Sequence, residues 1–553
     1  MAYTDESINI SGGKRSEIIG HLLQRFDYLK GQREFFNPEW DDITEFVLPN
    51  SGDFANKRSL AQLRDRRVFD STGRRANEQL ATILKDGIAP AHEMWGKIAT
   101  KDPRLKGDDL GIKYFDIRNT ILYDFINHPA SNFHSALHET FLQTTAYGTG
   151  CLYIDMHNNF LRFKPIHLSE LYITEDAAGL VDTVFRHFLM TPRQAAQQWG
   201  VEKLSHGCQN LLRSNPDEKI HFLHCVKPND DYDGMKVGKM NLPFCSYYID
   251  IEGNHLIDAG GYHEMPYKVT RWEKFIGEDY GRSPAWGAMP DIMMVNAIKQ
   301  SIIKATQKAA DPMYLLADDG VVLPLDTRPG GVTFGGVDPV SGRQRVQVLS
   351  HQGDLTVAYK LLEDTRQDIR HAFFFEPLSS RNTDRMTATV AMELKEERLL
   401  GMGPQAGRIQ VELMSPTLQR ADGLLARAGK YPKVNDQLAE MIEKGGFDIT
   451  YTSPLFNTQR RQESLALQRT LQAVLPIAQF DPTVLDNFDG DYITRDTSLV
   501  QGLPAPFLKS IEARDAQRAE RMQQQQQMEQ QAQQMANAEM MSKLSKSGGA
   551  PNA

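Results

Sequence analysis

Apolar residues recur at three-to-four spacing near the start of the chain. Ile18, Ile19, Leu22, Leu23, Phe26 and Leu29, placed after the turn-forming Ser11-Gly12-Gly13, predict a helix. A second helix is predicted after Asp70-Ser71-Thr72, which offer capping oxygens. Its apolar positions Ala76, Leu80 and Leu84 run to Gly87, with Pro90 beyond. Two more helices are expected over Lys113 to Asn127, closed by His128-Pro129, and over Asn132 to Tyr147. After Gly148 and Gly150 the period changes to short β-branched and aromatic runs: Cys151 to Ile154, Leu161 to Lys164 and Leu171 to Thr174 predict strands and hairpins. Thr191-Pro192 opens a short helix that Gly200 ends, with Thr as cap and Pro at the first helical position. Strands resume around Phe222 to Val226 and Phe244 to Ile251, the latter turning at Glu252-Gly253-Asn254.

The middle of the chain has another rhythm. From Pro284 to Ala310 a long helical run carries Met289, Ile292, Met293, Val295, Ile298, Ile302 and Ile303, and Asp311-Pro312 breaks it. Residues 311–350 are rich in Gly, Pro and Val, including the run Arg328 to Val337, and predict a small β-rich module. A second helix is expected from about Asp354 to Phe374, so two long helices flank a compact insert and project it from the main body. A polar loop, Glu376 to Arg385, follows. Another long helix is expected from about Met386 past Leu425, kinked by Gly401, Gly403 and Pro404. Phe447 to Pro454 reads as a strand returning to the body, the chain beyond Asn457 as helical, and the Gln/Met/Ala-rich stretch from about Gln517 as a low-complexity tail, helix-prone in part and mobile rather than packed.

Composition narrows the function classes. The 553 residues hold 62 Lys+Arg against 71 Asp+Glu, a net charge of −9, with 41% hydrophobic and 24% charged residues. Those fractions exclude wholesale disorder, and the acidic balance argues against a protein that coats nucleic acid through sheer positive charge. No apolar stretch approaches the ~18 residues of a membrane span. The opening MAYTDESINI shows no basic region leading into an apolar one, so no secretory leader is expected. Cys151, Cys208, Cys225 and Cys245 form no CxxC pair and are expected to stay reduced inside the fold.

Enzymatic signatures are sparse. Gly234 to Met240 lacks both the spacing and the hydroxyl of a phosphate-binding loop, so ATP hydrolysis is assigned to a partner. His134 and His138 stand four apart with Glu139 next, but Ser135 occupies the position where a zinc protease needs its glutamate. Solvent-facing or capping histidines are preferred there, and neither metal nor cofactor is expected. Asp486 to Asp491 lacks the spacing and closing glutamate of a calcium loop and reads as an acidic turn. Lys299, Lys304 and Lys308 step along one flank of the first long helix, and Arg366 and Arg370 along the second. They form either a solvated face or sparse cations that meet a phosphate backbone. Arg381 and Arg385 in the polar loop carry the same two readings. Arg64, Arg66, Arg67, Arg74 and Arg75 make a denser basic patch that could touch nucleic acid or an acidic neighbouring subunit, with the interface favoured because Asp65 and Asp70 are mixed in.

The order of these segments and several local strings resemble the head-to-tail connector, or portal, proteins of short-tailed bacteriophages, from about Leu22 to about Thr470. The strings are Tyr147-Gly-Thr-Gly150, Tyr280-Gly-Arg-Ser-Pro284 leading to Ala310-Asp-Pro312, Met386 to Glu393, and Tyr451 to Leu455 with Gln459-Arg460. Val390 departs from the family, which often carries an acidic residue after Thr-Ala-Thr, and puts an ion pair there in doubt.

The resemblance implies an α+β portal fold. Its parts would be a wing from residues 1–283 with 387–455, stem helices at 284–310 and 351–375, a clip at 311–350, a channel loop at 376–386, a helical crown or barrel at 456–516, and a flexible tail at 517–553. It implies a homo-oligomeric ring, usually of twelve subunits, at one vertex of the capsid in the virion, made in the host cytoplasm. Double-stranded DNA would pass through the lumen. A terminase ATPase and later tail adaptor proteins would dock at the clip, and the ring would meet the major capsid and scaffolding proteins, with no membrane involved. Arg381, Arg385, Lys299, Lys304 and Lys308 become DNA-channel candidates, and Arg328, Gly330, Gly331 and Phe334 clip candidates for terminase docking. An acidic chain with few cations per subunit suits a conduit that must not hold its cargo. Two alternatives are carried: a scaffold or minor capsid protein that forms no pore, and a metal-dependent DNA hydrolase.

Overall fold

The computed structural model describes residues 12–49, 54, 68–91, 93–100, 109–236, 238–316, most of 326–349, 355–374, 401–433, 447–451, scattered positions between 467 and 497, and 511–547. The polar loop 376–386, the expected helix up to residue 400, Arg64, Arg66 and Arg67 lie outside them.

In chain order the strands are β1 (Gly96–Thr100), β2 (Thr149–His157), β3 (Phe160–Ile166), β4 (Leu171–Glu175), β5 (Val181–Met190), β6 (Ile220–Pro228), β7 (Phe244–Asp250), β8 (His255–Tyr262), β9 (Tyr267–Arg271), β10 (Met313–Leu316), β11 (Val346–Leu349) and β12 (Phe447–Tyr451). The chain forms two compact units, one of residues 1–92 with 124–428 and one of 93–123 with 429–553.

The first unit is built around two antiparallel sheets, β3-β2-β9 and the meander β4-β5-β6-β7-β8. Side chains alternate across a strand, so β5 and β6 send Phe185, Leu223 and Cys225 to one face and Phe188 and Phe222 to the other. The helix Gly12–Arg33 covers the first face with Ile19, Leu22, Phe26 and Leu29. The short helices Pro192–Trp199 and His206–Ser214 cover the second with Ala195 and Cys208. The first of these keeps the expected boundaries: Thr191 and Gln194 form a reciprocal capping box, and Gly200 ends the helix. The expected strands form as far as the described residues reach. Strands β1, β5 and β9 and the helices Asn37–Phe46 and His206–Ser214 had no sequence counterpart. The β5 run, Val-Asp-Thr-Val-Phe-Arg-His-Phe-Leu-Met, buries Phe185 on one face and Val184 and Phe188 on the other, and sets Asp182 and Arg186 on the same face as Val184 and Phe188, which erases the alternation that marks a half-buried strand.

The break expected at Gly401 to Pro404 falls at Met402, whose backbone leaves helical values before the helix Gly403–Ile409 begins. A π-helical turn, Gln410–Met414, then precedes the helix Ser415–Arg427. Pro416 has no N–H to give the carbonyl of Glu412, and the ladder shifts to an i→i+5 bond from Ser415 N–H to Gln410 O.

In the second unit β12 pairs with β1, from Gly96 opposite Tyr451 to Thr100 opposite Phe447. Strand β12 therefore joins this two-stranded sheet rather than either sheet of the first unit, and the expected strand's last residues, 452–454, lie outside the described residues. Asn119 brackets Ile98 from both sides of its peptide (Ile98 N to Oδ1 2.8 Å, Nδ2 to Ile98 O 2.9 Å), and the Tyr123 hydroxyl does the same for Gly96. The Gln-rich stretch is a single helix, Ile511–Ser547, that starts before the expected boundary at 517. Its polar run leaves Met522, Met528 and Met535 exposed.

Candidate functional site: a two-helix stem, its anchor and its projecting hairpin

The first stem helix spans Pro284–Ala310, as the apolar spacing and Asp311-Pro312 predict, and is about 40 Å long at 1.5 Å per residue. Ser283 starts it: its hydroxyl accepts from Trp286 N (3.0 Å) and donates to Ala146 O (2.6 Å), which fastens the stem to the end of the helix Phe133–Tyr147. That junction unites two of the sequence strings. Gly148 sits at φ +87°, and a Cβ there would run into the carbonyl of Gly281, while Gly281 N donates to Thr149 Oγ1 at 2.9 Å. The glycines at 148 and 281, 133 positions apart, let the two backbones touch.

The second stem helix, Leu355–Ala372, packs against the first. Its buried positions are Leu362, Thr365 and Ile369, followed by Phe373; the first helix buries Ala285, Ala288, Met289, Ile292, Val295 and Ile302. Past Ile302 burial ceases. Ile303 on one helix and Val357, Tyr359 and Leu361 on the other are exposed apolar side chains near the far end of the pair. The hairpin β10–β11 carries more: Met313, Leu315 and Val348 on its strands, and Val332, Phe334, Val337 and Val340 in the connecting segment.

One carboxylate ties the stem to the body. Asp70, 3% exposed, accepts from Arg366 on the second stem helix (Nη2 2.6 Å, Nε 3.2 Å) and from Lys299 on the first (3.3 Å). Its carboxylate also accepts from Thr72 N, the first residue of the helix Thr72–Ile88, at 2.9 Å. Asn296 Oδ1 takes the neighbouring amides of Phe69 (2.6 Å) and Asp70 (3.3 Å). Burial pushes the Asp70 pKa up, but hydrogen bonds from Thr72 and Arg366 and the Arg366 charge outweigh it and bring the group down to about 2. Gly73 permits the close approach, since a Cβ there would meet Ile292 Cδ1 at 3.0 Å.

The sequence-predicted cations separate accordingly. Lys299 is an anchor, not an open cation, and Arg366 and Arg370 both reach Glu363, at 3.4 and 2.9 Å. Lys304 and Lys308, on the last turns of the first stem helix, are exposed and make no ion pair among the described residues. Arg381 and Arg385 lie outside the described residues. On the hairpin, Arg328 is exposed and pairs with Asp326 at 2.8 Å. Gly330 turns at φ +79°, and Gly331 N closes the turn on Arg328 O at 2.8 Å. A Cβ at Gly331 would meet the Asp326 carboxyl at 2.6 Å. Phe334 is 84% exposed.

Elsewhere His134 bonds Asn127 Oδ1 at 3.0 Å, and among the described residues no group of His, Cys, Asp or Glu is placed to hold a metal ion. All four cysteines are buried and none forms a disulfide. Among the described residues no helix is long and apolar enough to cross a membrane.

A second polar knot escaped the sequence reading. Arg271, fully buried on β9, binds Glu412 on the π turn (Nη2 2.6 Å, Nε 3.1 Å), Glu175 on β4 (2.8 Å) and the carbonyls of Gly179 and Asp279. Its partners stand up to 141 positions away, so no local pattern could have shown it.

The connector family profile, "Bacteriophage head to tail connecting protein", matches residues 20–508. The chain is 27% identical over 484 residues to the portal protein of Salmonella phage epsilon15, covering 85% of each. It is 25% identical over 480 residues to the probable portal protein of Bordetella phage BPP-1, again covering 85% of each. Against the portal protein of Enterobacteria phage T3 it is 22% identical over 486 residues, 83% of each. With a match that covers residues 20–508, the chain belongs to the bacteriophage head-to-tail connecting protein family.

Proposed function

We propose that this chain assembles into a closed ring at one capsid vertex and serves as the portal, a structural conduit for double-stranded DNA during packaging and ejection, with no catalytic step of its own. The observation that carries the reading is the concentration of exposed apolar side chains on the hairpin and the adjoining ends of the stem helices, from Ile303 and Leu361 to Phe334 and Val340. Such a surface needs cover. A ring supplies it when one flank of each stem meets the opposite flank of its neighbour and the rotation closes. Within that ring the wing would be residues 1–283 with 387–455, the stem 284–310 with 351–375, the clip 311–350 and the crown 456–516. Twelve subunits is the family expectation.

The clip, with Arg328, Gly330, Gly331 and Phe334 at its turn, is the docking platform for the terminase and then for tail adaptors. Lys304 and Lys308 are the stem cations available to phosphate, and Arg381 and Arg385 belong to the proposed channel loop. Two such lysines on an acidic chain give DNA few contacts per subunit, which keeps it sliding rather than held. Negative-stain images of the purified chain, rotationally averaged, test this. Rings with a central hole support the portal, whereas filaments or monomers at every concentration tried would replace it with the scaffold reading.

A further inference from the structure

Where β2, β3 and β9 face β5 and β7, the first unit holds a cleft of about 410 Å³ that the portal reading does not use. Its size is that of small ligand clefts, which span roughly 300–1,000 Å³. Tyr153, Lys164 and Tyr267 line one side, Arg186, Phe188 and Tyr248 the other, and Gln194 and Gln198 of the helix Pro192–Trp199 form the rim.

Charge and aromatic packing together narrow what fits. Two cations, Lys164 and Arg186, lie beside Glu170, which bonds Arg186 Nε at 2.9 Å, while a second carboxylate, Asp155, is held by the Tyr153 hydroxyl at 2.9 Å. Lys164 makes no ion pair among the described residues. The protein mass around it and then the Arg186 charge lower its pKa, which an incoming anion would reverse. The aromatic faces, by contrast, are largely taken. Tyr248 stacks on His224 at 3.8 Å and packs against Trp199 at 5.2 Å. Tyr267 packs against Tyr153 at 4.9 Å and its hydroxyl bonds His224 Nδ1 at 2.6 Å, while Arg186 covers Phe188 at 4.5 Å. The ring planes are thus engaged with one another, which disfavours a stacked nucleobase. What the cleft offers is the Lys164 ammonium, the outer nitrogens of Arg186 and two side-chain amides one helical turn apart. The Gln194 carbonyl already serves the capping box by accepting from Thr191 N at 3.1 Å, which leaves its amide nitrogen as a donor.

We propose that this cleft is a docking site for an extended acidic peptide segment of a protein partner, with a carboxylate seated between Lys164 and Arg186 and the peptide backbone running past Gln194 and Gln198. The inference is independent of ring formation, so it survives or fails on its own test.

The test is fluorescence anisotropy with the full chain and a labelled Gly-Asp-Glu-Leu-Asp-Gly probe, beside its Gly-Asn-Gln-Leu-Asn-Gly counterpart. The acidic probe is expected to bind at least about tenfold more tightly, the scale of one charge-assisted hydrogen bond, and to weaken as salt rises. Lys164→Glu is expected to lose about tenfold in affinity with an unchanged circular dichroism spectrum, and Lys164→Arg to retain it. Gln198→Ala supplies a second variant at an exposed rim position, expected to weaken binding by a few-fold. Equal binding of the two probes, no binding of the acidic one, or indifference to Lys164→Glu in a folded chain would each overturn the proposal. So would an oligothymidylate that displaces the probe and itself fails to bind the Lys164→Glu chain, because the site would then be one for nucleic acid.

Discussion

Replacing Asp70 by Asn removes one negative charge from the point where both stem helices meet the body. The consequence can be worked from the geometry. Asp70 titrates at about 2 in the folded chain, against an ordinary aspartate value near 3.9. At ~1.4 kcal/mol per unit, the carboxylate contributes about 2.5 kcal/mol at neutral pH. Because the folded pKa is the lower one, that contribution is complete above about pH 4 and lost as the pH falls through about 2. The lowering comes first from the Thr72 hydrogen bonds and then from Arg366, while Lys299 is 34% exposed and its longer pair is screened by solvent. The assay is hydrogen exchange with mass-spectrometric readout over residues 68–88 and 355–372, which reports local opening without requiring two-state unfolding. Asp70→Asn is expected to speed exchange in both segments by roughly thirty-fold or more at pH 7, the equivalent of about 2 kcal/mol. The difference between variant and parent should shrink as the pH approaches about 2. A change within about twofold at pH 7, or a difference that does not depend on pH, would refute the reasoning.

Further outcomes follow from other contacts. Gly148→Ala forces a Cβ into the Gly281 carbonyl at a positive φ and is expected to cost about 2–4 kcal/mol, seen as a fall in melting temperature and soluble yield. Phe334→Asp, at a fully solvated position, should leave the melting temperature of the unassembled chain within the ~0.5 kcal/mol equivalent of ordinary surface changes while weakening hairpin-mediated assembly, read by sedimentation. Glu412→Gln leaves buried Arg271 short of a counter-charge and is expected to destabilise by about 3 kcal/mol, measured by urea unfolding, with Glu175 keeping the loss from being larger. Lys304→Ala with Lys308→Ala should flatten the dependence of DNA affinity on salt, by up to about 0.9 in logarithmic slope for each phosphate no longer neutralised, with no change in the fold.

Elements whose information is local were legible from the residues alone. The first stem helix could be read from end to end because Ser283-Pro284 starts a helix, Asp311-Pro312 stops one, and the apolar positions between repeat at helical spacing. The same held for the Thr191 cap followed by Pro192 and for the β-rich character of the insert after Pro312. The α+β class and the family also came from local strings taken in order, and the family profile matches residues 20–508. Which charges are occupied was settled by the packed chain. Lys299 and Lys304 look alike on a helical wheel, but Asp70 lies 229 positions from the first and pairs with it, whereas the second faces solvent. Strand β5 was hidden because burial on both faces removes alternation, and the Arg271–Glu412 knot because its members meet only after β9 and the π turn are in place. Local hydrogen bonds and side-chain period are written within a few residues of each other. An ion pair depends on two distant segments arriving at the same point, and only the tertiary fold brings them there.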